Sequence, residues 1–136
     1  MLKRVLDRYQ EAAYAMLRVV AGLMFAVHGL PKLFGMLTTR GAAELGSQAW
    51  IGGVIELVCG VAIALGLFTR AAAFLASGTM AVAYIQFHWK LELDDRALPL
   101  VNGGELAVVY CFLFLFIATR GGGPYSLDAR RGGHFR

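Results

Sequence analysis

Apolar residues gather into four blocks along the chain, at 12–30, 49–68, 71–89 and 105–119, separated by short polar stretches. A helix rising ~1.5 Å per residue needs ~20 apolar residues to cross a ~30 Å hydrocarbon core. The pattern therefore predicts an all-α membrane protein, a four-transmembrane-helix bundle filling residues 1–136 as a single domain. Ahead of the first block, Leu2, Val5, Leu6 and Tyr9 recur at helical spacing among charges, which predicts a short interfacial N-terminal helix over 1–11. Pro31 is expected to end the first spanning helix, because it lacks an N–H and disfavours helix in the residue before it. Thr69 and Arg70 read as a tight turn between the second and third helices. Trp50 and Trp89 stand at block ends, where aromatics suit the headgroup level.

Composition agrees with this reading but adds less than the pattern does. Hydrophobic residues make up 58% of the 136 and charged ones 16%, with a mean hydropathy of +0.61. The first block follows Lys3, Arg4 and Arg8 as a signal peptide would. It is long, however, contains Arg18 and ends without an A-x-A site, so a retained helix is expected. The net charge of +4 sits between and beside the apolar blocks, so anionic headgroups and topology account for it and no nucleic-acid partner is implied. Four crossings would put Lys3, Arg4, Arg8, Arg70, Arg120, Arg130, Arg131 and Arg136 on one side. The opposite loops hold Lys32, Arg40, Lys90 and Arg96 mixed with acids. The positive-inside rule then predicts both termini in the cytoplasm, in a bacterial-type inner (plasma) membrane. Cys59 and Cys111 lie in apolar blocks with no C-x-x-C, and read as ordinary buried residues.

Ionisable residues inside such blocks need a reason, since each costs ~2.5–3.5 kcal/mol at a helix centre on insertion scales. The candidates are Arg18, His28, Glu56, His88 and Glu105, with Lys32 and Asn102 just outside the helices. His28 and His88 fall near the outer ends of their helices, Glu105 opens the fourth helix from that side, and Glu56 lies ~9 Å below it. All four helices are thus expected to send a polar group to the outer half of the bundle. His28 and Lys32 share one helix face if the helix survives Pro31. Gly52, Glu56 and Gly60 share a face with Gly53 beside it, a spacing that lets a neighbouring helix close on the carboxylate. Its plain alternative is a Glu that only fixes packing. Arg18 is placed ~18 Å below the outer end, either snorkelling inward or in an internal ion pair. A faint repeat, helix end with His followed by Gly-Gly and Glu, relates the first and second helices to the third and fourth.

Several of these runs resemble the DoxX family. They are L-R-V-V-A-G-L-M-F-A-V-H-G-L-P-K-L-F-G (17–35), I-E-L-V-C-G-V-A-I-A-L-G-L-F-T-R (55–70), N-G-G-E (102–105) and the tail G-G-G-P-Y-S-L-D-A (121–129). The similarity runs through nearly the whole chain in order. Pro31 departs from it, standing where the family often has another polar or small residue. The resemblance implies a membrane subunit associated with redox complexes, and the matching positions are Arg18, His28, Lys32, Glu56, Arg70, His88, Asn102 and Glu105.

Three functions compete on these residues. In a quinone-linked oxidoreductase subunit, His28, Glu56, His88 and Glu105 transfer protons or contact substrate, while Arg18, Lys32 and Asn102 contact the quinone or an anion. The chain carries neither a flavin fingerprint nor a cysteine cluster, so electrons would come through a protein partner in a membrane complex. In a non-catalytic anchor or assembly factor, the same cluster grips another subunit or a second copy of the chain. Metal or haem binding is the third reading; no E-x-x-H spacing supports it, and no metal ligand is assigned.

Overall fold

The structure, a computed structural model, describes residues 2–132; Arg136, counted above with the basic side, lies outside them. Every regular element among the described residues is helical. The long helices are α1 (Leu2–Phe34), α2 (Gln48–Leu65), α3 (Thr69–Ala83) and α5 (Glu105–Arg120), with short helices α4 (Pro99–Asn102) and α6 (Leu127–Arg131). They run up and down in alternation. One end of the bundle, the loop end, holds the α1–α2 loop and residues 90–104. The other, the tail end, holds the α2–α3 turn and the C-terminal segment.

Two expected boundaries are corrected. Of the expected 1–11 stretch, residues 2–11 do not form a separate interfacial helix; α1 is one helix of 33 residues. Nothing between Glu11 and Tyr14 breaks helix, Ala12 and Ala13 favour it, and a Glu11–Arg120 salt bridge of 2.5 Å holds this stretch against α5. Nor does Pro31 end α1, which continues to Phe34. The proline forfeits one backbone bond, yet the next turn closes through Gly35 N–H donating to Pro31 O at 3.0 Å. Neighbouring helices make such prolines tolerable in apolar surroundings.

The α1–α2 pairing rests on glycines used reciprocally. A Cβ at Gly22 would lie 2.6 Å from Gly60 O, one at Gly60 would lie 2.6 Å from Gly22 O, and one at Gly29 would lie 2.5 Å from Gly53 O. Only hydrogen fits between these backbones. Gly52, expected on this contact, faces open space instead. Phe25 then reaches across from α1 to Tyr110 and Phe114 of α5, at ring-centroid distances of 5.7 and 4.7 Å. Ser77 of α3 donates to Cys111 O of α5 at 2.8 Å. Ile63, Ala73, Ala76, Phe114 and Ile117 are fully enclosed among these helices.

The α2–α3 turn falls at residues 66–68 rather than at Thr69 and Arg70. Gly66 takes a left-handed conformation (φ 69°) that ends α2, and Leu67 N–H closes the turn onto Ala62 O at 2.9 Å. At its far end α3 passes into a π-helical turn, Tyr84–Trp89, in place of the regular helix expected to residue 89. Lys90 N–H donates to Ile85 O at 2.8 Å, the five-residue step of that geometry.

Outward faces of the bundle are apolar: Leu23, Met24, Val58, Phe74, Leu75 and Phe112 are among the large side chains at least half exposed. Such continuous apolar surface suits solvation by lipid, not water. Two helices, α1 and α2, are by length and composition able to cross a membrane.

Candidate functional site

At the loop end the helices line a half-open cavity of about 290 Å³, with His28 and Phe87 exposed at its margin. His28 and Lys32 reach it from α1, Glu56 from α2, His88 from the π-turn after α3, and Tyr110 from α5, with Phe25, Met80 and Phe87 among the apolar lining. Because α1 stays helical through Pro31, His28 and Lys32 share a face, one turn apart. The π-turn alters the phase of α3 at its last turn, the turn that carries His88.

Glu56 is 3% exposed. Its Oε1 accepts from Lys32 Nζ at 2.5 Å, whereas Oε2 is buried and has no hydrogen-bond partner. The hydroxyl of Tyr110, a residue 5% exposed, is likewise buried and unpartnered. Leaving a polar atom buried without a bond costs ~1–3 kcal/mol, so two at one cavity call for an explanation beyond packing. Both histidines are pinned the same way. His28 Nδ1 lies 2.7 Å from Met24 O and His88 Nδ1 lies 3.3 Å from Asn102 O. A carbonyl can only accept, so in each bond Nδ1–H donates and Nε2 is left free. The ring of His28 meets that of Tyr110 edge-on at 6.1 Å, and Tyr84 stacks on His88 at 6.3 Å.

The other three residues singled out in the sequence do not join this cavity. Glu105 is exposed at the start of α5. The buried stripe of that helix runs Ala107, Tyr110, Phe114, Ile117, and Glu105 falls outside its phase. That stripe is also the signal for Tyr110, which the sequence reading passed over: a hydroxyl recurring at core spacing. Asn102 organises the loop instead. Its amide donates to Arg96 O at 2.9 Å and Tyr84 Oη at 3.2 Å, and its Oδ1 accepts from Gly104 N–H at 2.8 Å. Nearby, Arg96 forks onto Asp94, and those bonds hold the exposed Asp94 carboxyl below the usual carboxylate range.

Arg18 belongs to the opposite end. At 1% exposure it donates through Nη1 to Ile63 O at 2.5 Å and Ala64 O at 2.7 Å, and through Nη2 to Tyr125 O at 2.7 Å. It caps the last carbonyls of α2 and fastens the C-terminal segment there, so it neither snorkels nor meets an acid. Around it the tail folds back. Asp128 accepts from Phe68 N–H, Thr69 N–H and Thr69 Oγ1 at 2.7–2.8 Å, capping α3 from about sixty residues away. Tyr14 Oη donates to Gly121 O at 2.5 Å, and Arg70 donates to the final carbonyls of α5.

Among the described residues, no three His, Cys, Asp or Glu side chains converge closely enough to hold a metal ion. His28, Glu56 and His88 line one cavity without forming such a set.

Residues 13–89 match the family model described as DoxX. A Haemophilus influenzae protein named "Uncharacterized protein" is 40% identical over 126 residues, which span 90% of this chain and 93% of that one. "Inner membrane protein YphA" of Escherichia coli is 33% identical over 121 residues, 83% and 86% of the two chains. "Putative oxidoreductase CatD" of Bacillus subtilis is 31% identical over 122 residues, 87% and 86%. No solved structure matches the chain.

Proposed function

The chain belongs to the DoxX family of membrane proteins, and from that premise we propose that it is the membrane subunit of a quinone-linked redox complex. The loop-end cavity would receive the quinone ring. One observation carries this reading: two buried polar atoms, Glu56 Oε2 and Tyr110 Oη, lack partners at a cavity that two histidines and a lysine also line. The volume, about 290 Å³, is close to the lower end of the ~300–1,000 Å³ usual for small-molecule sites.

A quinone supplies a two-electron, two-proton acceptor whose ring oxygens accept hydrogen bonds. The groups here match those needs. Tyr110 Oη and Lys32 Nζ donate to the ring oxygens, and the free Nε2 atoms of His28 and His88 accept from the hydroxyls of the reduced ring. Glu56 Oε2, which no other residue bonds, accepts from a hydroxyl of the reduced ring. The sequence holds no electron carrier of its own, so the reductant would be carried by a protein partner. The Bacillus relative carries the name "Putative oxidoreductase CatD" and the Escherichia coli relative that of an inner membrane protein; both names favour this assignment. In the proposed topology α3, lengthened by its π-turn, and α5 cross beside α1 and α2. The basic residues then put both termini in the cytoplasm.

A non-catalytic anchor or assembly factor is the second reading, favoured by the Lys32–Glu56 bridge, which also ties α1 to α2. The protein purified in mild detergent, with bound small molecules and co-purifying chains identified by mass spectrometry, separates the two. On the first reading a quinone co-purifies, and Glu56→Gln weakens binding of its reduced form, whose hydroxyl donates to Oε2, about tenfold, the order expected for one lost charge-assisted bond. A stoichiometric partner with no quinone, its yield falling in Glu56→Gln, would favour the anchor.

A further inference from the structure

A second space lies beside the cavity. It is an apolar groove of about 660 Å³ between α2 and α3. Lys32, Glu56, Met80, Ala83 and Phe87 line both spaces, so they meet at the buried carboxylate. Ile51, Phe74, Leu75 and Val82 flank the groove and are themselves exposed on the outer surface. The groove therefore opens sideways through the apolar belt of the protein.

Its width depends on two glycines. Gly52 on α2 and Gly78 on α3 both line the groove, and a Cβ on either would meet no atom within 4 Å. Gly22, Gly29, Gly53 and Gly60 differ, each leaving room for a neighbouring helix or a side chain on it. Helix packing thus explains those four and leaves Gly52 and Gly78 without a role in the protein's own contacts. What they keep open is a passage from the lipid-facing surface to Glu56, a side chain 3% exposed whose Oε2 has no partner.

We propose that this groove is the lateral entry to the site and holds the hydrocarbon tail of an amphiphilic ring ligand, a prenylated or alkylated quinone, whose head sits in the cavity. The proposal rests on the head-group reading above and adds the ligand's tail and its route. A head leaving the bilayer sideways never crosses water, and the polar atoms it meets are the ones lacking partners. Lipid tails are as apolar as the groove, so the tail adds little by hydrophobic transfer. Its contribution is close packing against the α2 and α3 walls and orientation of the ring.

The test is a two-by-two comparison in one detergent, so that partitioning of each ligand into micelles cancels between proteins. Wild-type protein and Gly78→Phe are titrated with a decyl-substituted benzoquinone and with the same ring lacking the chain. Gly78→Phe should bind the chained quinone about tenfold more weakly and the bare ring within about twofold of wild type. Gly52→Leu, on the facing wall, should repeat the pattern and serves if Gly78→Phe fails to fold, as judged by its melting transition. Tyr110→Phe, which removes a donor to the ring oxygens, should weaken both ligands alike. Equal effects of the groove variants on the two quinones, or none, would overturn the tail slot while sparing the head site. So would loss of a co-purifying phospholipid from Gly78→Phe with both quinones binding as before, which would make the groove an ordinary lipid seat. If neither quinone binds wild-type protein, the head-group reading itself falls, and the tail slot with it.

Discussion

At the tail end of the bundle Arg18 is 1% exposed and gives three short hydrogen bonds to backbone carbonyls; at the loop end Glu56 is 3% exposed and is bonded through one oxygen only. Both are charges taken out of water, which costs several kcal/mol unless partners replace the lost hydration. The tail end replaces it with carbonyls that α2 would otherwise leave open and with the folded-back chain. Arg18 Nε alone lacks a bond there. Gly66 packs against the guanidinium so closely that a Cβ there would lie 2.9 Å from Arg18 Nη1. The loop end has the opposite character. Glu56 and Tyr110, whose Oε2 and Oη have no partner, line a cavity there, and two histidines that also line it each keep a free nitrogen. A satisfied knot holds a fold together; unsatisfied groups around a space are completed by something else.

Removing a residue from each end should therefore give different losses. Arg18→Ala, the largest expected effect, strips the last turn of α2 and the tail of their common partner. Stability should fall by about 3–5 kcal/mol, read as a lowered melting transition in detergent. Arg18→Lys should recover only part of it, because an ammonium lacks the planar fork that spans separate carbonyls. A melting transition unmoved by Arg18→Ala would erase the contrast.

Asp128 sharpens the same end. Asp128→Ala removes the cap of α3 and should cost about 1–2 kcal/mol, with Asp128→Asn milder. Burial raises the pKa of this carboxyl, but the bonds from Thr69 and Phe68 outweigh it and hold the folded value below the ordinary one. Its contribution is thus complete above the unfolded value of ~3.9 and is lost as pH falls through the lower folded value. Melting profiles of wild type and Asp128→Ala should converge below about pH 4. Profiles that stay parallel well below that pH would exclude an ionised cap.

Tyr110→Phe should move stability least. Its hydroxyl has no partner to lose, so the ligand-free protein should melt within about 1 kcal/mol of wild type or slightly higher. Quinone affinity should still drop about five- to tenfold, the worth of one neutral hydrogen bond. A large loss of stability with unchanged affinity would make the loop end another structural knot.

Much of the bundle could be read along the chain because the signals are local. Block length and the small-residue face of α2 at Gly53 and Gly60 needed no knowledge of neighbours, whereas their partners Gly29 and Gly22 on α1 emerged only from the packing. His28, Lys32, Glu56 and His88 stood out because ionisable residues are rare in apolar blocks. The helix ends were less legible. Pro31 argues for a break by its own chemistry, and only the packing of α1 on α2 carries the helix past it. Thr69 and Arg70 look like a turn, but the left-handed Gly66 is what ends α2. Glu105 and Tyr110 exchanged places in the reading because a carboxylate draws notice and a tyrosine among phenylalanines does not.

By itself the sequence determined that this protein is helical, apolar enough for a membrane and a member of its family, since hydropathy and motif order are properties of the chain. Tertiary structure decided which of the buried polar groups are spent and which are free. Arg18 and Glu56 look alike in the sequence, two charges in apolar helices. Their difference comes from the rotation of each helix about its axis, from a π-turn that alters the phase at His88, and from a tail that returns about sixty residues to cap α3. Those are set by contacts between distant segments, and no local pattern encodes them.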